Sequence, residues 1–211
     1  RYYLFSHSVT NTLYAQAAIL SGGLSLRWLR DLLGNDVDYA ALSEMAASVP
    51  AGSEGLLFLP YLAGERSPLM DPDASGAFIG LRLNHGRAHM ARAVMEGVAF
   101  ALRDCLRVVP QNAERFLLAG GAVGSEVWTG ILADVLGVSL HLTRSDTPYG
   151  CVGAAVLTAV GIGALPDFST SERITITNGL IEPQPSSVYD ERFALFERLY
   201  PLLRDEMHQL R

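Results

Sequence analysis

A glycine-rich turn is the feature of this sequence that most clearly points to ligand binding. The apolar segment 116–119 is followed by Gly120, Gly121 and Gly124, and Ser125 then precedes a new apolar segment with helical spacing. Glycines let the backbone approach a ligand closely, and a helix start offers unpaired N–H groups and the positive end of a dipole. The turn therefore predicts a nucleotide site. A tight strand-to-helix connection with Ser125 as its N-cap would need the same residues, so that interpretation stays open.

A dinucleotide-binding domain is the main alternative for this turn. Such a domain has the spacing G-x-G-x-x-G and an acidic residue about 20 residues further on. Asp146 lies near that place, and Arg144 could bind a 2′-phosphate. However, the glycines here are spaced G-G-x-x-G, and the turn follows a long helix-rich region rather than opening the chain. An NAD(P)-binding oxidoreductase domain is kept as one alternative, and a catalytically silent module that retains the fold as an interaction surface is kept as another.

The composition excludes some other chemistries. The chain contains no lysine, so all 16 cationic side chains are arginine. A phosphate loop of the G-x-x-x-x-G-K-[ST] type and Schiff-base catalysis both require lysine and are excluded. His85 and His89 stand four residues apart, but no third ligand follows at a suitable spacing, and we predict no metal site.

The overall balance of residues predicts a folded domain with a small-molecule ligand. Hydrophobic residues make up 49% of the 211 positions and charged residues 18%, which is enough to build a sizeable core. The formal net charge is −6 and no basic run is present. Because phosphate backbones and anionic lipids are bound through clustered positive charge, we expect neither nucleic acid nor a membrane surface as partner.

The cysteines and the longest apolar run predict a cytoplasmic protein. Cys105 and Cys151 both lie in apolar, helix-like segments, where buried thiols are common. The run Cys151–Pro166 is shorter than the ~18–20 residues that span a bilayer, and it is predicted to form a buried helix. No charged-then-apolar leader opens the chain, and we predict no disulfide.

The elements that must position the turn follow from hydrophobic periodicity. In the first half the pattern predicts helices at 11–33, with an interruption at 21–23, and at 38–47 and 87–109, and short strands within 55–62 and 77–81. In the second half it predicts strands at 115–119 and 138–143, helices at 125–136 and 150–160, an irregular segment at 170–184 and a closing helix at 189–210. Because strands and helices alternate, the predicted class is α/β, with helices packed on a parallel or mixed sheet.

Three segments upstream of the turn resemble a known family. Residues 76–81 (GAFIGL), seven further residues and then 89–97 (HMARAVMEG) match the second signature of the FGGY carbohydrate kinases at every defined position. Residues 59–68 (LPYLAGERSP) resemble a segment of the xylulose and gluconate kinases of that family, and residues 21–29 (SGGLSLRWL) resemble its phosphate-side helix. The resemblance covers most of the chain in the right order.

This resemblance implies a ribonuclease-H-like fold of the actin-like ATPase type. Two such lobes flank a cleft in the family, with sugar and the catalytic Asp mainly on the first and ATP largely on the second. Residues 1–211 would then form a single carboxy-terminal nucleotide-binding lobe, and the first, sugar-binding lobe would be absent from this chain. No catalytic residue is expected among these 211, and the chain alone is expected to be inactive.

The resemblance also implies roles for five residues. Gly121 and Ser125 would border the adenosine with Gly120 beside them, while Gly23 would approach the phosphates with Arg27 one helical turn on. Some relatives have Asn where this chain has Ser125, and glycerol kinases have Gln where it has Arg27. The roles of Glu65 and Arg66 stay open between a position lining the cleft and a structural loop closed by its own ion pairs.

The implied activity is ATP-dependent phosphorylation of a hydroxyl group on a small sugar. ATP and Mg²⁺ would be the cofactors, and a pentulose such as xylulose is the favoured substrate, followed by gluconate. A homodimer is compatible with the resemblance.

Overall fold

The computed structural model describes residues 1–34, 36–110, 112–144, 147–184 and 186–210. The helices are α1 (Gly22–Leu33), α2 (Tyr39–Ala47), α3 (Arg87–Val108), α4 (Glu126–Leu136), α5 (Tyr149–Gly161), α6 (Thr170–Ile174) and α7 (Ser187–Gln209). The strands are β1 (Tyr3–Ser6), β2 (Leu13–Gln16), β3 (Leu57–Leu59), β4 (Ala77–Ile79), β5 (Phe116–Leu118), β6 (Leu140–Thr143) and β7 (Thr177–Ile181). The class is α/β, as predicted.

The N-terminal segment departs from the predicted helix at 11–33. Only its second half is helical, as α1, whereas β2 pairs antiparallel with β1. The rings of Phe5 and Tyr14 stack 5.4 Å apart across this hairpin, and Asn11 takes a left-handed conformation (φ 59°) in the connecting turn. Cross-strand aromatic pairs favour a hairpin, and this pairing outweighs the helical spacing of the apolar residues.

Helix α1 ends and helix α2 begins at residues with clear local signals. Gly34 follows α1 with φ 115°, a conformation that glycine adopts without strain. The side chain of Asp38 accepts a hydrogen bond of 2.7 Å from the backbone N–H of Ala41 and so caps α2. Both helix ends therefore follow from local sequence.

The long helix α3 forms the centre of the core. It packs against α1, α2 and α4 and against strand β3, which pairs antiparallel with β4. Residues 93–101 of α3 are all buried. At Gly97 the helix approaches β3 so closely that a Cβ atom would lie 2.3 Å from the carbonyl oxygen of Phe58. Because α2 and α4 both rest on α3, its position fixes the distance between them.

The three-stranded sheet is mixed. Strand β6 lies in the middle, parallel to β5 and antiparallel to β7. The segment 170–184, predicted to be irregular, instead contains α6 and β7. Without β7 one edge of β6 would lack a backbone partner, so this strand is stabilised by pairing that is distant in sequence. The local sequence, which is polar and contains proline, gave little sign of it.

Helix α5 is where the prediction of a buried helix was wrong. Within α5 only Val156 is buried, while Leu157 is 46% exposed. Cys151 is also exposed, whereas Cys105 is buried as predicted, and burial raises the pKa of its thiol to about 12. Apolar composition predicts burial only if another element covers the helix, and among the described elements α6 is its main neighbour. No helix in the described ranges is long and apolar enough to cross a membrane.

Candidate functional site

The glycine-rich turn opens onto a cleft with a volume of about 710 Å³. Three elements form its walls: the start of α1, one face of α2, and the turn that runs from β5 into α4. The lining residues are Gly23, Leu26, Tyr39, Ala40, Ser43, Ala119, Gly121, Ala122, Gly124, Ser125, Glu126 and Trp128. The cleft is therefore large enough for a small organic ligand.

Three glycines in the wall leave room for a ligand to approach the backbone. A Cβ atom built on Gly23, Gly121 or Gly124 would meet no protein atom within 4 Å. These glycines are therefore not required by packing against neighbouring protein atoms. A bound molecule would occupy the space that a side chain would otherwise fill.

Helix α1 begins at this cleft without a side-chain cap. The side chain of Ser21 makes no capping hydrogen bond, and its hydroxyl is buried without a partner among the described residues. By contrast, Asp38 caps α2 and Ser125 caps α4. The first N–H groups of α1 at Gly22 and Gly23 are left uncapped, and this favours an anion at that end of the cleft.

Across the cleft from α1, two serine hydroxyls connect the walls formed by α2 and α4. The Oγ atoms of Ser43 and Ser125 lie 2.8 Å apart, which links α2 to the start of α4. Ser125 Oγ also accepts a hydrogen bond of 3.2 Å from the backbone N–H of Trp128, as predicted for an N-cap.

The structure places only three of the five residues implied by the family resemblance in the lining of the cleft. Gly23, Gly121 and Ser125 all line the cleft. Gly120 does not line it, but its φ of 93° bends the chain into the turn. Arg27 lies outside the lining on the exposed surface of α1, and its guanidinium pairs with no described residue.

Sequence reasoning missed the contribution of α2. Tyr39 and Ser43 are four residues apart and so lie on the same helix face, next to the cleft. The guanidinium of Arg30 lies 4.8 Å from the centre of the Tyr39 ring and supports it. An exposed aromatic residue and a serine at this spacing were the available signal, and it was a weak one.

Trp128, the third residue of α4, is 93% buried. It packs in the core and also lines the cleft. Its indole Nε1–H is buried and has no hydrogen-bond partner among the described residues. A buried donor without an acceptor is unfavourable.

Glu65 lies outside the cleft lining and binds the backbone next to the start of α1. Its carboxylate is 97% buried and accepts hydrogen bonds from the backbone N–H groups of Leu20 (3.0 Å) and Arg66 (2.7 Å). Burial raises the pKa of Glu65 to about 6. The loop is thus closed by hydrogen bonds from the backbone to Glu65, not by the ion pairs considered above. Because Leu20 lies two residues before the start of α1, Glu65 helps to hold that helix end in place.

The structure gives little support to the residues proposed for dinucleotide binding, Arg144 and Asp146. Arg144 follows β6 and is not among the residues that line the cleft. Asp146 lies outside the described residues.

The rings of His85 and His89 are 5.0 Å apart, and each Nδ1 accepts a backbone N–H. Within the described part of the chain, no three His, Cys, Asp or Glu side chains form a possible metal cluster.

Comparison with known proteins identifies similar chains. Residues 3–162 match the family model described as "FGGY family of carbohydrate kinases, C-terminal domain". A xylulose kinase from Staphylococcus epidermidis is 33% identical over 205 residues, an alignment that covers 94% of this chain and 41% of that protein. A gluconokinase from Bacillus licheniformis is 34% identical over 210 residues, with 90% of this chain and 40% of that protein covered.

A solved structure of another xylulose kinase has a similar fold. The ligand-bound xylulose kinase from Lactobacillus acidophilus matches with a TM-score of 0.87 and 27% sequence identity. The match covers all of this chain and 44% of that one. The chain therefore spans less than half the length of these relatives.

Proposed function

The chain belongs to the FGGY family of carbohydrate kinases, and we propose that it forms the nucleotide-binding lobe of an enzyme that phosphorylates a small sugar with ATP. The observation that supports this most strongly is the cleft itself. It combines an uncapped helix start at Gly23 with the glycine turn at Gly121 and Ser125, and its volume of about 710 Å³ leaves room for a ligand. A nucleotide requires a site that binds its anionic phosphates and a second site that is open to its flat base. The helix start and the glycine turn offer these two sites.

The proposal includes a second lobe. The relatives are more than twice as long as this chain, since the alignments cover 40–41% of their length. We propose that the remainder supplies the sugar site and the catalytic Asp, and that both lobes have the ribonuclease-H-like fold of actin-like ATPases. Closure of the two lobes would exclude water and so limit wasteful hydrolysis of ATP.

Each site residue has a proposed task. Gly121 and Ser125 border the adenosine, and Gly120 gives the turn its shape. Gly23 lets the phosphates approach the uncapped N–H groups of α1, which offset negative charge without a lysine. Arg27 lies one turn further along α1 and is free to pair with a phosphate.

Mg²⁺ is the proposed metal. It is held in proteins mostly by phosphate oxygens, water and one or two carboxylates, so a cluster of three protein ligands is not needed in this lobe. When bound, it would neutralise charge on the transferred phosphoryl group. The residues of this chain would position the phosphates that bind it.

The proposed substrate is a pentulose, with xylulose first and gluconate second. We expect the natural polypeptide that carries this chain to form ADP from Mg-ATP only when a sugar is present. Its kcat/KM should be about tenfold or more higher for xylulose than for gluconate or glycerol, because a site built to hydrogen-bond its own substrate rejects analogues strongly. A coupled assay of ADP formation measures this.

The control is the same reaction with excess EDTA, which should abolish activity if Mg²⁺ is required. Sugar-independent ADP formation, or none with any sugar or polyol tested, would contradict the proposed kinase activity. A clear preference for gluconate would keep the kinase and correct its substrate.

A further inference from the structure

The segment 65–71, called here the 65–71 loop, is closed by two backbone hydrogen bonds between its ends. The N–H of Glu65 donates to the carbonyl of Asp71 at 2.8 Å, and the N–H of Asp71 donates to the carbonyl of Glu65 at 2.9 Å. Because the first and last residues of the loop bind each other, their positions depend on each other.

The first end of the 65–71 loop is bound to the chain that enters α1. The buried carboxylate of Glu65 accepts a hydrogen bond from the N–H of Leu20 at 3.0 Å. The N–H of Ser67 donates to the carbonyl of Ala18, also at 3.0 Å. The loop therefore runs beside residues 18–20, just before the uncapped start of α1 that is proposed to receive the phosphates.

The last end of the 65–71 loop is bound to α7. Oδ2 of Asp71 lies 2.5 Å from the hydroxyl of Tyr200 and 2.7 Å from Nε2 of His208. Burial acts to raise the pKa of Asp71, but the hydrogen bonds from Tyr200 and His208 outweigh it and hold the pKa below its ordinary value. Since an ionised carboxylate can only accept, Tyr200 and His208 are both donors.

Helix α7 is fixed to the core by other contacts. Phe196 is buried against Phe100 of α3, with the ring centres 5.5 Å apart. Met207 is also buried, directly beside His208. These contacts hold in place the part of α7 that carries Tyr200 and His208.

The contacts connect α7 to the start of α1. Tyr200 and His208 bind the carboxylate of Asp71. The backbone pair joins Asp71 to Glu65, whose carboxylate binds Leu20. Both carboxylates are buried, and a buried acceptor that loses its donors is unfavourable. Without the donors of α7, Asp71 would turn toward water and the closure of the loop would weaken.

We infer that Asp71 is a positioning residue of the nucleotide site, which transmits the position of α7 through the 65–71 loop to the start of α1. The inference rests on the proposed function, because it requires that this helix start binds the phosphates. It adds α7 to the elements that shape the site. Helix α7 lies outside residues 3–162, the part of the chain matched by the family model.

The test removes the two donors of α7 and measures the start of α1. Tyr200→Phe and His208→Ala are combined in the natural polypeptide that carries this chain. Backbone hydrogen exchange is then followed by mass spectrometry. We expect exchange to become about tenfold or more faster in a peptide that covers residues 17–24, because local opening there becomes easier. Exchange in residues 126–136 of α4 should not change.

Nucleotide binding by the same double variant is the second measurement. In calorimetric titrations we expect the affinity for Mg-ADP to fall about fivefold to tenfold, the lower range for coupling between separate sites. Adenosine lacks phosphates and does not contact the start of α1 in the proposed arrangement. Its affinity should therefore stay within about twofold of the wild-type value.

Three control variants separate the hydrogen bonds from general damage to α7. His208→Gln keeps an N–H donor and, in place of His208→Ala, should restore most of both effects. Tyr200→Phe alone should give smaller changes in the same direction, so the test does not depend on the stability of the double variant. Arg198→Ala shortens an exposed side chain of the same helix and should change neither measurement.

Four results would overturn the inference, and they are distinguishable. Unchanged exchange in residues 17–24 would refute the connection from α7 to α1, whatever the protein binds. Faster exchange with unchanged Mg-ADP affinity would show that the connection does not position the nucleotide site. Equal losses of affinity for Mg-ADP and adenosine would show general disruption of the cleft. Failure of the wild-type protein to bind Mg-ADP would refute the proposed function, and the positioning role with it.

Discussion

Replacing Glu96 by alanine is expected to lower the free energy of unfolding by about 4 kcal/mol, because it leaves the largely buried guanidinium of Arg92 without its counter-charge. Glu96 is 99% buried, and its carboxylate accepts from the Arg92 guanidinium at 2.7 Å. It also accepts from Gly52 N–H (2.9 Å), Ser53 Oγ (3.1 Å) and the Tyr189 hydroxyl (3.1 Å). One side chain thus joins α3, α7 and the loop before β3.

The same carboxylate holds a strained loop. Gly52, Ser53 and Glu54 have φ values of 82°, 48° and 50°, and side chains rarely adopt such left-handed conformations. Two of these three residues donate a hydrogen bond to Glu96. Without the carboxylate, the loop would lose the partners that stabilise this conformation, so the expected loss exceeds that of the ion pair alone.

Urea denaturation of the wild-type and variant chains measures the effect. Asp190→Ala is the matched control, because it breaks a second arginine–carboxylate pair, which joins Arg103 of α3 to Asp190 of α7 at 2.7 Å. The side chain of Asp190 is 72% exposed, so this change should cost less than about 1 kcal/mol. Similar small losses for both variants would show that Glu96 does not have the structural role assigned here.

Gly97→Ala is expected to cost about 3 kcal/mol, since it adds a methyl group where the backbone of another element already lies. The new Cβ would lie 2.3 Å from the carbonyl oxygen of Phe58 and 3.1 Å from its carbonyl carbon. Backbone atoms cannot rotate away as the end of a side chain can. Helix α3 and strand β3 would therefore have to separate, which would disturb the packing on both sides of the core.

Gly130→Ala in α4 provides the comparison for Gly97→Ala. Gly130 is also inside a helix, but an added Cβ would meet no atom within 4 Å. Alanine favours the helix over glycine, so this variant should be stabilised by up to about 1 kcal/mol. If thermal or urea unfolding shows both glycine variants to be equally stable, the close approach of α3 to β3 is not a constraint on this fold.

Both predictions concern residues of the family signature at 89–97, and their role here is to position the site. Glu96 and Gly97 are not in the cleft. They fix α3, on which α2 and α4 pack, and those two helices carry Ser43 and Ser125. The signature thus identified the family through its core packing, while the ligand contacts lie elsewhere.

The parts of the fold that sequence predicted well are those with local causes. The ends of α2 and α4 follow from their N-caps Asp38 and Ser125, and α3 follows from its long amphipathic pattern. The parts that sequence missed depend on distant partners. β2 forms by pairing with β1, β7 forms by pairing with β6, and α5 is exposed because no described element covers most of it.

The same distinction applies to the candidate site. Gly23, Gly121 and Ser125 could be selected because glycine turns and helix starts have a local signature. Ser43 could not, because its significance comes from a 2.8 Å contact with a residue 82 positions later in the chain. Arg27 was selected by resemblance, yet it lies outside the cleft lining. It would contact only a part of the ligand that extends out of the cleft.

The central claim is that this cleft binds the nucleotide of a kinase, and calorimetric titration of the natural polypeptide with Mg-ADP, NAD and NADP tests it most directly. We predict saturable binding of Mg-ADP alone, weakened about 100-fold or more in Gly121→Val, whose Cβ atom would enter the ligand space without meeting a protein atom within 4 Å. The variant should retain the wild-type unfolding transition. Binding of NAD or NADP in place of ADP, or unchanged ADP affinity in Gly121→Val, would contradict the claim.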